Sequence, residues 1–176
     1  MDFAQVLETL TGFFEREGIR YAVVGAFGLQ AYGLGRATID VDLAVDAEAQ
    51  RRVLAFLESL GYETLHVSTG YSNHLHPMPA MGRVDLVYVS GDTGRLLFGQ
   101  CVPALELGER RLPVPRPEHL AAMKVQAMKN DPGRTLQDMA DIQFLLRLPG
   151  VDEDEIRGYF ERAGLLERYR EIKRLA

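Results

Sequence analysis

The chain has one cysteine, no tryptophan and no apolar run near the roughly 18 residues of a membrane span. Each shortage excludes something. Cys101 alone cannot close an internal disulfide, so burial and hydrogen bonding have to hold the fold. The longest apolar stretch, around Tyr21–Gly28, is short and contains glycine. The opening Met1-Asp2-Phe3-Ala4-Gln5 lacks the basic segment of a signal peptide. With the lone thiol, this sets the expectation of a reducing cytoplasm and no membrane partner. Positive charge is also short: 20 Lys and Arg against 25 Asp and Glu, for a net charge of −5. A long non-specific polynucleotide groove is usually basic and is therefore disfavoured. A local site for a nucleotide or an RNA end remains compatible, with bound metal supplying the positive charge.

The 176 residues suit one domain, or one core with a small appendage. Phe3, Val6, Leu7, Leu10, Phe13 and Phe14 recur at helical spacing and predict a first helix stopped near Gly18. Tyr21–Val24 reads as a short buried strand running into Gly25-Ala26-Phe27-Gly28, with a short helix over Leu29–Tyr32. Ile39–Val45 is a second strand, and Ala47–Leu60 a helix closed by Gly61. Tyr62–Val67, Tyr71–His76 and Arg83–Val89 are further strands. Leu96–Phe98 is ambiguous, and Cys101–Leu105 pairs with Arg111–Val114. A strand–helix–strand unit followed by a run of strands predicts a small mixed sheet flanked by helices, an α/β (α+β) fold.

Beyond Pro113-Val114-Pro115-Arg116-Pro117 the pattern turns helical. Pro117 suits a first helical position, with Leu120, Met123, Ala127 and Met128 facing inward. Asp131-Pro132 begins a second helix with Leu136, Met139, Ala140, Phe144 and Leu145 inward, ending at Pro149-Gly150. Asp152 and Glu155 resemble a capping box, and a last helix carries Leu166, Tyr169 and Ile172. The boundary falls at 115/116: a core over 1–115, and a helical region over 116–176 packed on that core.

The chemistry concentrates in Arg36-Ala37-Thr38-Ile39-Asp40-Val41-Asp42-Leu43. Side chains alternate along a strand, so Asp40 and Asp42 share one face, about 6–7 Å apart. Like charges so placed are unfavourable unless a cation lies between them. Hard cations such as Mg²⁺ take carboxylate oxygens and leave positions open for phosphate. Fifteen residues before Asp40, Gly25 forms a strand–turn–helix start where backbone amides can approach phosphate. Asp85 stands inside the apolar strand Arg83–Val89, costly there unless an arginine or a metal neutralises it.

In order along the chain, these residues resemble the nucleotidyltransferase superfamily with the DNA polymerase β-type catalytic core, most closely the AbiEii/MNT-like toxin–antitoxin branch. Its block reads approximately Gly-Gly-x-Ala, then Arg-x-Thr-x-Asp-x-Asp. This chain matches at Gly25, Arg36, Thr38, Asp40 and Asp42, and departs at Ala26, where the family usually has Gly or Ser. The likeness continues through Pro117–Ala127, with Lys124 toward the nucleotide, and through Arg134, Asp138 and Asp141. It implies a metal-dependent nucleotidyltransferase that moves NMP from an NTP such as ATP to a hydroxyl and releases pyrophosphate. Asp40, Asp42 and Asp85 would be catalytic and would hold two Mg²⁺ (or Mn²⁺) ions. Gly25, Ala26, Arg36, Thr38 and Lys124 would bind the nucleotide, with Arg134, Asp138 and Asp141 in support. The acceptor is open between an RNA end, a protein and a small molecule, and a partner antitoxin is implied, with the enzyme a monomer or homodimer. The alternatives are a degenerate member of the fold that binds NTP or a protein partner, and an antibiotic-modifying enzyme of the aminoglycoside type.

Simpler roles stand beside these. Lys124 could snorkel from a helix edge. Arg134 and Asp138 are four apart and could pair on a helix face, with Asp141 holding Lys124. His74 and His76 share a strand face, but no cysteine or third histidine is near, so a surface or core role is expected. Asp46 suits a helix N-cap.

Overall fold

The computed structural model describes residues 1–174. Asp2 caps α1 (Phe3–Arg16) by accepting a hydrogen bond from the Gln5 amide, and Val6, Leu7, Leu10 and Phe14 are its buried face. The chain divides into two compact units, Met1–Pro115 and the residues from Arg116 onward.

The first unit is built on a five-stranded sheet. Its strands are β1 (Tyr21–Val23), β2 (Asp40–Asp46), β3 (Glu63–Val67), β4 (Tyr71–Leu75) and β5 (Arg83–Val89). They lie in the order β1-β2-β5-β4-β3. β2 and β5 pair in parallel, and every other neighbouring pair is antiparallel. One face of β2, β5 and β4 is dry: Val41, Leu43, Ser72, His74, Val84, Leu86 and Tyr88 are buried. The opposite face carries Asp40, Asp42, Arg83, Asp85 and Asn73, all half-buried. The period of two thus sets a hydrophobic core on one side and the acidic residues on the other.

Helices flank this sheet, and two differ from the reading of the sequence. α2 (Gly25–Gln30) begins at Gly25, four residues before the expected start at Leu29, because Gly25 takes the left-handed turn out of β1 and the helix follows at once. The ambiguous Leu96–Phe98 lies within α4 (Gly91–Gly99), which buries Leu97 and Gly94 and leaves Leu96 exposed. Before α3 (Gln50–Ser59) a 3₁₀ turn spans Ala47–Ala49, and Asp46 caps it through the Glu48 amide, as expected. β6 (Val102–Leu107) and β7 (Arg110–Val114) form a separate hairpin.

The second unit comprises α5 (Pro117–Asn130), α6 (Thr135–Leu145), α7 (Glu153–Ala163) and α8 (Leu166–Arg174). Leu120, Val125, Met128, Ile142, Leu145, Ile156, Phe160 and Ile172 form its core. The inward face expected for α6 needs correction. Leu136 is 84% exposed, whereas Asp138 and Asp141 are buried. Apolar spacing alone misses this, because Lys124 supplies the charge that lets two carboxylates go inside. The capping box is half formed: Asp152 accepts from the Glu155 amide, but the Asp152 amide donates to Glu118. Glu155 turns instead to Arg116 and Tyr159. No described helix is long and apolar enough to cross a membrane.

Candidate active site

Three carboxylates converge at the β2–β5 pairing. The parallel register sets Asp42 directly opposite Asp85, and Asp40 opposite Arg83. Partnered residues in a ladder share a face, so Asp40, Asp42 and Asp85 can each offer an oxygen within 4.8 Å of the others. Two of these residues come from one strand and the third from a strand 43 positions on. The side chains are half-buried, enough to raise their mutual repulsion without sealing them from solvent.

Several groups hold this arrangement. The Thr38 hydroxyl donates to Asp40 Oδ1 at 2.5 Å. Arg83 Nε donates to both oxygens of Asp85, at 2.9 and 3.1 Å. Those bonds, opposed by partial desolvation and aided by the charges of Asp85, Asp40 and Asp42, hold the Arg83 guanidinium above its ordinary pKa. Arg83 was not foreseen as part of the site. The signal was there: it lies two residues before Asp85 on the same strand, hence on the same face.

Gly25 is the other support. Its φ is +59°, in the left-handed region, and a Cβ there would sit 1.9 Å from Asp42 Oδ2. The Val24 amide donates to the Asp42 carbonyl at 3.1 Å. The glycine turn is therefore in contact with the Asp42 carboxylate, and no other residue type fits there without moving it. Ala26 is buried one position on. A cavity of about 280 Å³ is lined by Phe3, Ala26, Phe27, Gln30, Arg36, Ala37 and Thr38. Three of the residues expected to bind the nucleotide, Ala26, Arg36 and Thr38, thus line one space. A larger concavity of about 500 Å³, lined in part by Arg20, Arg95 and Phe98, holds none of the three carboxylates.

The donor set suits a divalent metal. Three carboxylates bring hard oxygens and triple negative charge to one point, which fits Mg²⁺ or Mn²⁺ and suits softer ions poorly.

Lys124, Arg134, Asp138 and Asp141 belong to the helical unit. The buried Lys124 ammonium lies 3.0 Å from Asp138 Oδ1 and 2.8 Å from Asp141 Oδ2. Arg134 approaches Asp138 Oδ2 at 3.7 Å from an exposed position. Asp141 thus holds Lys124 as expected, whereas Lys124 is buried rather than snorkelling and is a closer partner to Asp138 than Arg134 is.

The two histidines do not share a strand face as expected, because β4 ends at Leu75 and leaves His76 beyond it, and each has its own duty. His74 is wholly buried and bonds Ser72 and Thr64, while Ser72 continues to the Tyr88 hydroxyl. Burial pulls the His74 pKa below its ordinary value, against smaller upward pulls from Asp85 and Glu58. His76 Nε2 meets the Leu60 carbonyl, and its Nδ1 accepts from the Met78 amide. Among the described residues neither joins a cluster with metal-ligating geometry.

No protein-family model matches the chain, and no curated protein sequence matches it. Solved structures do. The chain is similar to the antibiotic-resistance factor ANT(2″)-Ia, with TM-score 0.70 and 12% identity over 99% of this chain and 97% of that one. It is also similar to the lincosamide antibiotic adenylyltransferase LnuA bound to lincomycin, with TM-score 0.58 and 18% identity over 81% and 96%. A third likeness is to an antigenic nucleotidyltransferase-like protein from Paracoccidioides brasiliensis, with TM-score 0.57 and 17% identity over 98% and 90%. At these identities the likeness establishes the fold, and the fold is that of the nucleotidyltransferases.

Proposed function

We propose that the protein is a metal-dependent nucleotidyltransferase that transfers NMP from an NTP to a hydroxyl group. The observation that carries this reading is the convergence of Asp40, Asp42 and Asp85 beside a glycine turn that no side chain can occupy. Asp40 and Asp42 would hold two divalent ions, and Asp85 would complete the first site. When bound, the ions neutralise the triphosphate and stabilise the charge that develops on the leaving oxygen.

The chain's own groups do the rest. Thr38 fixes the Asp40 carboxylate through its hydroxyl. Gly25 and Ala26 offer the turn along which phosphates would lie, and Arg36 adds a guanidinium at the cavity that Ala26 lines. An Asp85 oxygen receives the acceptor proton as the acceptor oxygen bonds to the α-phosphorus. The bond from that phosphorus to the bridging oxygen breaks, and pyrophosphate leaves. Lys124, with Asp138 and Asp141, serves the nucleotide in the family reading. Its two close carboxylates give it an equally direct structural role.

The Arg36-to-Asp42 block supports the finer placement in the toxin–antitoxin branch, with a partner antitoxin and an RNA or protein acceptor. The similarity to an adenylyltransferase bound to lincomycin supports an antibiotic-type acceptor instead. Binding of NTP tests the common reading without knowing the acceptor. At a hundredfold excess over Kd, NTP should stabilise the fold by about 2.7 kcal/mol, or about 5–10 °C in Tm for a chain of this size. The shift should require Mg²⁺ or Mn²⁺ and should vanish in Asp42→Asn. A chain with no metal-dependent shift for any of the four NTPs would not be this enzyme.

A further inference from the structure

The open face of the sheet continues past the carboxylates. From Asp85 the register runs to Asn73 on β4 and then to His66 on β3, all on one face. In the neighbouring rows Tyr71 lies opposite Val87, and Leu75 opposite Arg83. Tyr71, Leu75 and Val87 are 47%, 43% and 38% exposed. The Tyr71 ring is stacked on the His66 ring, with centroids 4.6 Å apart and planes at 21°. A half-buried amide beside Asp85 is thus framed by a braced aromatic ring and two aliphatic side chains.

Resting on the transferase reading above, we propose that this strip is the acceptor subsite. It would take an uncharged or cationic hydroxyl-bearing small molecule with an apolar ring face. Position and charge both argue for it. The Gly25 turn lies on the β1 side of the carboxylates, so the nucleotide occupies that side. The strip lies on the β4 side, next to Asp85, where the acceptor hydroxyl has to be. Arg83 is the sole lysine or arginine between residues 53 and 94, and it is engaged by Asp85. From this stretch of chain a nucleic-acid end would meet only Arg83, whose Nε already serves both Asp85 oxygens, and phosphate contacts are what hold nucleic acids. An apolar sugar or alicyclic face, by contrast, packs well on an exposed tyrosine, and amide groups bond hydroxyls. Asn73 and Tyr71 are therefore specificity-determining residues, not catalytic ones.

The test uses the whole chain with Mg²⁺ and a non-hydrolysable ATP analogue. The probes are a panel of neutral and cationic glycosides headed by lincomycin and tobramycin, and a single-stranded RNA oligonucleotide with a free 3′-hydroxyl. Binding is read from backbone amide NMR shifts, and nucleotide binding from the metal-dependent rise in Tm. Members of the panel should shift the signals of Tyr71, Asn73 and Val87. Tyr71→Ala and Asn73→Ala should each weaken that binding at least tenfold while keeping the nucleotide-dependent rise in Tm. The proposal falls if only the RNA perturbs these signals, if no panel member does, or if panel binding is unchanged in both variants. Absence of the nucleotide-dependent rise in the wild type would defeat the transferase reading itself, and an acceptor role with it, whatever binds the face.

Discussion

Arg83 and Asp85, two residues apart on β5, form a forked ion pair in which one guanidinium nitrogen serves both carboxylate oxygens. Arg83 thereby counters part of the charge that Asp40, Asp42 and Asp85 bring together. Replacing it with Gln should leave three acids with less compensation. The pair is partly exposed, so the cost to the metal-free protein should be modest, about 0.2–1 kcal/mol. The Mg²⁺-dependent rise in Tm should grow, because the ion then relieves more repulsion. Melting curves with and without Mg²⁺ check both signs, and an unchanged or smaller rise would refute this role for Arg83.

Gly25 faces a double constraint. Ala at this position adds left-handed strain of roughly 1–2 kcal/mol. It also places a methyl group in the space of the Asp42 carboxylate. Gly25→Ala should therefore lose metal affinity out of proportion to its loss of stability. A titration with Mn²⁺ beside a urea melt separates the two. Equal Mn²⁺ affinity in the variant would mean that Asp42 yields freely.

Lys124 is enclosed by Asp138 and Asp141, both buried. Lys124→Met would strand two carboxylates that have little access to water. The expected cost is about 3–5 kcal/mol, far above that of an exposed lysine. The triple change Lys124→Met, Asp138→Leu, Asp141→Leu should recover most of it, as measured by chemical denaturation. If Lys124→Met costs less than about 1 kcal/mol, the cluster is not a structural tie.

The buried histidines give the fold an acid limit. Burial lowers the folded-state pKa of His74 and also of His119 in the helical unit, where the neighbouring Arg116 adds to the effect. Both bind a proton less readily when folded than when unfolded. Their contribution to stability is complete above the unfolded value near 6.5 and is lost as pH falls below it. Each can add a slope of up to about 1.4 kcal/mol per pH unit. His74→Gln should flatten the fall in unfolding free energy between pH 6.5 and 5 by up to one such slope. An identical profile in the variant would remove His74 from the account.

Much of the site was legible because its signal is local. Asp40 and Asp42 declare a shared face through the period of two, and Asp85 is conspicuous in an apolar strand. What pairs with what was not legible. Nothing in the order of residues says that β2 lies parallel to β5 with Asp42 opposite Asp85, because that register depends on the whole sheet. α4 was obscured by its own composition: Gly91, Gly94 and Gly99 weaken its helical signal, and packing of Leu97 overrides propensity. The hold of Asp141 on Lys124 was legible from spacing, but the burial of Asp138 against the same lysine was not, because it depends on a charge from another helix. Asn73 and Tyr71 gave no warning either, since an amide and an aromatic in a strand look ordinary until their neighbours are known.

The crossover pairing of β2 with β5 also bears on how the site comes into being. β3, β4 and β5 follow one another as a meander, whose contacts form between chain neighbours, while β2 must wait for β5 to return across α3 and two strands. Loop closure makes such a return slow relative to local hairpins. The three acids are scattered until that closure and crowded after it, so their repulsion falls on the late, long-range step of assembly. Divalent ions should therefore act as a folding aid: in stopped-flow refolding, Mg²⁺ should speed the slowest phase of the wild type and not that of Asp42→Asn. Equal acceleration in both would show that the acids gather without hindering the closure of the sheet.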